Sequence, residues 1–330
     1  MQGSGRKPKN PLLVALVGPT ASGKSALAVK TAVRLGGEIV NCDSMQFVRG
    51  MEIGTAQPTV EQQRLVPHHL YGQVNPDEFY SAGRYMVEAR RLCRQISNSG
   101  HIPMVVGGSG LYLRALLEGI FPGPGRSDSL RRRLHGLAAR RDSGYLHRLL
   151  RQKDPETARR LHPTDQVRIV RALEVYFSCG LPISRLQARK EPLNEFSILK
   201  VGLNLSRPLL YDRINRRVEE IFRSGLLDEV QTLLDQGYQP GCKGFEAIGC
   251  RHALSCLAGK LTLREAIQLT SRDTRRYAKR QLIWFRKETE MHWIQEAGED
   301  SAALKQLLEL TASYGRRLQD APFKDEASKY

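Results

Sequence analysis

Eight consecutive residues, Gly18-Pro19-Thr20-Ala21-Ser22-Gly23-Lys24-Ser25, fit the pattern G-x-x-x-x-G-K-[ST] of a phosphate-binding loop. In such a loop the backbone N–H groups and the start of the following helix point at an anion. Lys24 reaches the outer phosphates, and the Ser25 hydroxyl is placed to sit on a magnesium ion, so Mg2+ is the expected cofactor. The loop implies a bound polyphosphate without saying what happens to it. The next group with chemistry is Asp43, in Asn41-Cys42-Asp43-Ser44-Met45-Gln46. Its carboxylate serves as a magnesium ligand through water or as a general base on an acceptor, unless it only caps the next turn. Arg213, Arg216 and Arg217 recur at i, i+3, i+4 and share one helix face, which reads as a diphosphate clamp or as a solvated basic surface. The segment 271–287 carries seven basic residues among 17, interleaved with Tyr277, Trp284 and Phe285. Its basic face can track a nucleic-acid backbone, with Leu282, Trp284 and Phe285 expected to pack inward.

Other clusters carry less. His68 and His69 are adjacent, so in an extended segment their rings point opposite ways and cannot chelate one metal. Packing or hydrogen bonding is the expected role. The six cysteines, at 42, 93, 179, 242, 250 and 256, include no C-x-x-C pair. The spacing of Cys242, Cys250, His252 and Cys256 matches no standard zinc finger. Scattered reduced thiols suit the cytoplasm. A hydrophobic share of 41% is that of a soluble globular protein, whereas a net charge of +17 is unusual. Such a charge attracts polyanions at long range, nucleic acid first among them. Arg6, Lys7 and Lys9 before an apolar run mimic a leader peptide. That run is short and leads straight into the phosphate loop, so neither a cleaved leader nor a membrane span is expected.

These groups need a scaffold. Pro11 to Val17 reads as a buried strand and Ala26 to Val33 as the helix after the loop. Glu38 to Asp43 reads as a second strand, residues 81–97 as a helix, and Ile102 to Gly107 as a third strand turning through Gly108-Ser109-Gly110 into a helix. The alternation implies an α/β fold, a parallel sheet flanked by helices, with functional groups gathered at the carboxyl ends of the strands. Beyond the Pro- and Gly-rich break at 121–127 the chain turns helical and Arg-rich, with 16 Lys and Arg against 8 Asp and Glu over 126–195. That net +8 is nearly half the total. Phe196 to Asn204 reads as a returning strand, Ser206 as a helix cap with Pro208 in its first turn, and the rest to about 295 as helical. The expected domains are a discontinuous core, 1–125 and 196–330, and an all-helical insertion, 126–195.

With these residues in hand, the chain resembles the tRNA dimethylallyltransferase (tRNA isopentenyltransferase) family. The motifs stand in order: GPTASGKS at 18–25, DSMQFVRGMEIGTAQP at 43–58, PHHL at 67–70, VGGSGLYLRALLEG at 106–119, HPTDQVRIVRALEVY at 162–176, EAIGCRHAL at 246–254 and RDTRRYAKRQLIWFRK at 272–287. The resemblance implies a P-loop NTPase-like core with a helical insertion. It implies transfer of a dimethylallyl group from dimethylallyl diphosphate to N6 of the adenosine just 3′ of the anticodon, in tRNAs reading codons that begin with U. The products are N6-(dimethylallyl)adenosine and diphosphate. The family's catalytic aspartate falls on Asp43, its loop hydroxyl on Ser25 and its diphosphate-contacting arginine on Arg213, beside Lys24. Its tRNA contacts fall on Asp43, Ser44, Met45 and Gln46, on Ser109, and on Gln166, Val167, Arg168, Ile169 and Val170. Arg131, Arg276, Lys279 and Arg280 join them as the basic contacts to the anticodon arm. A monomer is expected, since one chain makes the whole site.

The chain departs from the family pattern in three places. Phe47-Val48 stands where valine-tyrosine is usual, Cys250 replaces a tyrosine, and Tyr71-Gly72-Gln73 follows His69-Leu70 where isoleucine-aspartate is common. An altered grip on the acceptor base is the expected consequence. The residues show no zinc finger of the kind eukaryotic members carry, so a bacterial type is expected. The rival readings are an adenylate isopentenyltransferase, a P-loop small-molecule or nucleoside kinase, and a P-loop RNA-binding protein switched by nucleotide.

Overall fold

The computed structural model describes residues 10–121 and 123–320. Two compact units emerge: residues up to 116 with those from 194 onward, and residues 117–193.

In the first unit β1 (Leu12–Val17), α1 (Lys24–Leu35), β2 (Gly37–Asn41), α2 (Glu52–Thr55), α3 (Val60–Leu65), β3 (His68–His69), α4 (Ala82–Asn98), β4 (Ile102–Gly107) and α5 (Gly110–Glu118) follow in order. The second unit holds α6 (Asp128–Arg140), α7 (Tyr145–Lys153), α8 (Pro155–Arg160), α9 (Gln166–Cys179) and α10 (Ile183–Gln187). The chain then returns through β5 (Ser197–Leu203), α11 (Arg207–Arg223), α12 (Leu226–Asp235), α13 (Ile248–Leu257), α14 (Leu263–Phe285), β6 (Met291–Ile294) and α15 (Ser301–Asp320).

The six strands form one parallel sheet in the order β3-β2-β4-β1-β5-β6. Leu13 to Val17 of β1 are buried without alternation, as a central parallel strand covered on both faces requires. Helices α1 and α4 pack on β2 and β4, and α15 packs on β5 and α1. Two strands escape the sequence reading. β3 is the His68–His69 pair itself, and β6 is a four-residue segment closing the edge beside β5. Both are too short to show a period.

Helix ends are set locally. Gly36 ends α1 in the left-handed conformation at φ 63°. The Ser81 hydroxyl accepts the N–H of Arg84 to start α4, and Thr262 and Glu265 form a reciprocal capping box on α14. Ser206 does occupy the cap position of α11, but its side chain makes no capping bond.

The second unit starts nine residues before the expected boundary and ends two residues before it. The reason is a closure of its own ends, where the Leu193 N–H donates to the Leu117 carbonyl (2.8 Å). Its core gathers Leu134, Leu146, Leu150, Ile169, Val170 and Leu173. Beside them lies Glu174, with a fully buried side chain that accepts from Arg131 (2.9 Å), Arg171 (2.8 Å) and the Ser127 N–H (2.8 Å). These partners outweigh the desolvation that burial imposes and hold its carboxyl at about 2, against an ordinary 4.5. Stability from this group is present above the ordinary carboxylate range and is lost as pH falls from there toward 2. Glu174→Ala leaves two arginines facing a buried gap and is expected to cost the unit about 3–5 kcal/mol. Urea unfolding followed by circular dichroism at neutral pH checks this; an unchanged midpoint contradicts it.

Candidate active site

The phosphate loop leaves β1 and enters α1 with Ala21 (φ 62°) and Gly23 (φ 87°) both left-handed. At Gly23 a side chain has no room, because a β-carbon would run into Gly298 and the Glu299 carboxylate. The loop is braced from two sides. The Gly298 N–H donates to the Ser22 carbonyl (3.0 Å). Gln281 of α14, a residue the sequence reading passed over, accepts the Thr20 N–H on Oε1 (2.9 Å) and donates Nε2 to the Gly108 carbonyl (2.9 Å). One buried amide thus ties the loop to the carboxyl end of β4.

Asp43 stands just past the end of β2, and a neighbour two residues back fixes it. Asn41 is fully buried. Its Oδ1 accepts the Asp43 N–H (2.8 Å), and its Nδ2 donates to the carbonyls of Leu70 (2.9 Å) and Asp43 (3.2 Å). Asp43 Oδ1 accepts the Met45 N–H (3.1 Å). The Ser44 N–H donates to Ser109 Oγ (3.0 Å), which brings the predicted residue Ser109 against the Asp43 loop. Gln46 turns the other way and holds the carbonyls of Thr55 and Ala56 (3.1 and 2.8 Å).

A cavity of about 750 Å3 opens beside these groups. Thr20 and Ala21 of the loop, Asp43, Ser44 and Met45 line it together with Arg217, Tyr277 and Arg280. Apolar wall comes from Ile214, Val218, Ile221 and Ile248, with Phe79 and Leu111 on another side. Lys24 stands behind the loop, its Nζ donating to the Pro19 carbonyl (3.3 Å). Burial pushes its ammonium down to about 8, with Asp43 pulling it up and Arg217 pushing it further down, so these three charges feel one another. Ser25 lies on a separate, water-sized cavity with Gln46, His68 and Tyr71.

Of the acids on the cavity wall, Glu246 is taken by Lys243 and Asp273 by a group of arginines, while Glu78 accepts the Asn75 N–H. The phenols are protonated at neutral pH: burial pushes Tyr112 up to about 12, and Tyr277 higher still. Asp43 and Glu78 each accept only a backbone N–H, and of the two Asp43 is the one close enough to Lys24 and Arg217 to act on both.

The expected arginine clamp on α11 comes apart into three roles. Arg213 donates Nε to the Ala21 carbonyl (2.7 Å) and pairs with Glu299 (2.7 Å), so it struts the loop from outside the cavity lining. Arg216 pairs with Asp212 on the exposed face. Arg217 alone lines the cavity, with no hydrogen-bond or ion-pair partner among the described residues and with burial lowering its guanidinium. The clamp was read from helical spacing, which places residues on a face without saying what that face meets.

Other expected contacts are corrected similarly. Ile169 and Val170 are 1% and 2% exposed inside the core of the second unit, so they cannot touch a ligand at the surface. Gln166, Val167 and Arg168, in the first turn of α9, are exposed. Arg131 is committed to Glu174. On α14 Arg276, Lys279 and Arg280 are exposed as expected, and Phe285 is buried, but Trp284 is 36% exposed and the inward position goes to Gln281. The departures from the family pattern also resolve. Phe47 is fully buried, its ring stacked on Tyr80 at 4.1 Å, and Cys250 is buried against Gly54. Neither lines the cavity; of the three, only the Val48 and Tyr71 positions meet cavity space. The two histidines hydrogen-bond: His68 Nδ1 donates to the Val66 carbonyl (2.8 Å) and His69 Nε2 to Glu38 (2.7 Å). Among the described residues no helix is long and apolar enough to cross a membrane.

This geometry meets its relatives. The family model described as IPP transferase matches residues 46–288. A protein of Koribacter versatilis named tRNA dimethylallyltransferase is 44% identical over 302 residues, 91% of this chain and 98% of its own. One of the same name from Geobacter sulfurreducens is 48% identical over 284 residues, 86% of this chain and 91% of its own. The crystal structure of the full-length tRNA isopentenylpyrophosphate transferase of Bacillus halodurans superposes with a TM-score of 0.70 at 36% identity, covering 94% of this chain and 98% of that one. A eukaryotic dimethylallyltransferase described as acting on tRNA superposes with a TM-score of 0.77 at 26% identity, covering 96% and 82%. A phosphate loop and the Asp43 carboxylate on the wall of one large cavity, on a chain that these enzymes match over 86–96% of its length, place it in the tRNA dimethylallyltransferase family.

Proposed function

We propose that this chain transfers the dimethylallyl group of dimethylallyl diphosphate to N6 of the adenosine 3′ to the anticodon, and that Asp43, Arg217 and the phosphate loop carry the reaction. The observation behind this reading is their convergence on one cavity, large enough for a prenyl chain and a flipped base.

The adenine amino group is a poor nucleophile, since its lone pair is delocalised into the ring. Reactivity therefore has to come from the donor. An allylic carbon–oxygen bond ionises because the cation is resonance-stabilised, and negative charge then builds on the departing diphosphate. Arg217 and the loop residues on the cavity wall stand where that charge develops, Lys24 acts on it from behind the loop, and Arg213 keeps the loop in shape. The apolar wall of Ile214, Val218 and Ile221 suits the hydrocarbon tail. As nitrogen bonds to carbon its proton becomes acidic, and Asp43 takes it.

Magnesium finds little protein to hold it here. No group of three or more His, Cys, Asp or Glu that could hold a metal occurs among the described residues. Mg2+ asks for little protein, however, and is usually held by one or two side chains plus substrate phosphates and water. Ser25 would be its protein ligand, but that residue lines the separate water-sized cavity and not the large one, so no step is routed through the metal.

Lys24 sets a pH limit. With its ammonium held at about 8, the charged form that attracts diphosphate is present below pH 8 and is lost above it. The kcat/KM for the donor is expected to be flat below about pH 8 and to fall above it, and Lys24→Arg should move that limb upward. An identical limb in both proteins assigns it elsewhere.

Incubation with dimethylallyl diphosphate and either tRNA or AMP, followed by mass analysis of the base, tests the reading. Modified tRNA with unmodified AMP is expected. Modified AMP alone would mean an adenylate isopentenyltransferase, and ATP-dependent tRNA binding without base modification would mean a nucleotide-switched RNA binder.

A further inference from the structure

One carboxylate on the cavity wall stands where a nucleic-acid-binding surface should have none. Asp273 lies on α14 among cations from two helices. Its Oδ1 accepts from Arg272 Nε (2.9 Å), with Arg276 Nη1 at 3.7 Å. Its Oδ2 accepts from Arg251 Nη2 (3.1 Å) and His252 Nε2 (3.1 Å), both on α13. The Asp273 side chain is 15% exposed, while the three arginines are 47–65% exposed. Arg251, Asp273 and Arg276 all line the cavity.

An isolated carboxylate here would repel RNA phosphates. The contact of His252 with Asp273, side chains 11% and 15% exposed, ties α13 to α14, but the exposed arginine pairs add little stability, so fold maintenance is no sufficient reason for them. The geometry supplies a better one. Three guanidiniums against one carboxylate leave the cluster positive. Each offers five N–H donors; Arg251 and Arg272 give Asp273 one nitrogen each and Arg276 only approaches it at 3.7 Å, so most of the donors stay open. What the carboxylate fixes is direction: long side chains that would otherwise sample many rotamers are gathered, Arg251 and Arg276 on the cavity wall and Arg272 beside them, and their ordering cost is met before a ligand arrives.

We propose that Asp273 is a positioning residue for the acceptor, holding Arg251, Arg272 and Arg276 as a preformed cradle for the RNA phosphates that flank the target nucleotide. This rests on the reading of tRNA as acceptor.

The test is Asp273→Asn in the full chain, which keeps the shape and removes the charge. Steady-state kinetics with tRNA at several salt concentrations should show KM for tRNA raised roughly three- to tenfold and its salt slope reduced by about one. The kcat at saturating tRNA and the KM for dimethylallyl diphosphate should stay unchanged, and Asp273→Glu should restore much of the loss. A merely repulsive carboxylate gives the opposite sign, a lower KM for tRNA, and that result overturns the proposal. So does a fall in kcat with KM unmoved. Arg251→Gln and Arg272→Gln guard against a folding defect: each should raise KM for tRNA, and adding Asp273→Asn to either should cost less than it does alone. Full additivity also overturns the proposal. If the wild-type chain prenylates no tRNA, the reading beneath fails; if it does and the variant binds tRNA as well or better, only the cradle fails.

Discussion

Asp43→Asn should keep the fold and the tRNA affinity of the protein while turnover falls about 10²–10⁴-fold, the span expected when a general base is removed. The amide keeps the oxygen that accepts the Met45 N–H, and Asn41 still grips the backbone on either side. Geometry therefore persists and basicity goes. The cavity offers no ready replacement. Its Glu246 and Asp273 are paired with cations, its phenols hold their protons far above neutral pH, and Glu78, held by the Asn75 N–H, is not among the charges that act on Lys24 and Arg217. Single-turnover prenylation with saturating tRNA and donor reads the chemical step. Turnover near that of the wild type removes Asp43 from the mechanism. Asn41→Ala should lower the same rate with the carboxylate still present, which separates holding the base from being the base.

The second large effect is on tRNA binding. The chain carries a net charge of +17, with exposed arginines on α6 such as Arg132, Arg133 and Arg140, and exposed Arg276, Lys279 and Arg280 on α14. If six or more RNA phosphates are met, affinity should drop by about 10³-fold or more between about 50 and 200 mM salt. Filter binding of unmodified tRNA across that range measures it. Since counterion release is the cause, the plot of log affinity against log salt should be a straight line. A flat response means that the charge serves something other than RNA. Glu174 makes a separate contribution here, because Arg131 and Arg171 neutralise it internally and are not expected to add to the slope.

What could be read in the sequence was whatever lies close together along the chain. The loop at 18–25 and Asp43 are local signals, each at the end of an apolar strand, and strand ends in a parallel sheet converge. The insertion announced itself through its change of composition and charge. Contacts across long separations left no trace. Gln281 braces Thr20 from 261 residues away, and a glutamine in a basic helix looks like any other. Arg213 and Arg217 occupy the same helix face one turn apart, so spacing could not say that Glu299 would claim the first and leave the second facing the cavity. Gln166 to Val170 form one segment in sequence, yet a helix turns about 100° per residue and carries Ile169 and Val170 into the core. Phe47 and Cys250 looked like changes in the grip on the base. Both prove to be changes in packing behind the cavity wall.

The central claim is that the phosphate loop holds a leaving group and moves no phosphoryl group. Its most direct measurement is the stoichiometry of the released anion. Wild-type protein, tRNA and dimethylallyl diphosphate should release one diphosphate for each nucleoside modified, with no orthophosphate and no dependence on ATP. Orthophosphate release, or modification that consumes ATP, would contradict it.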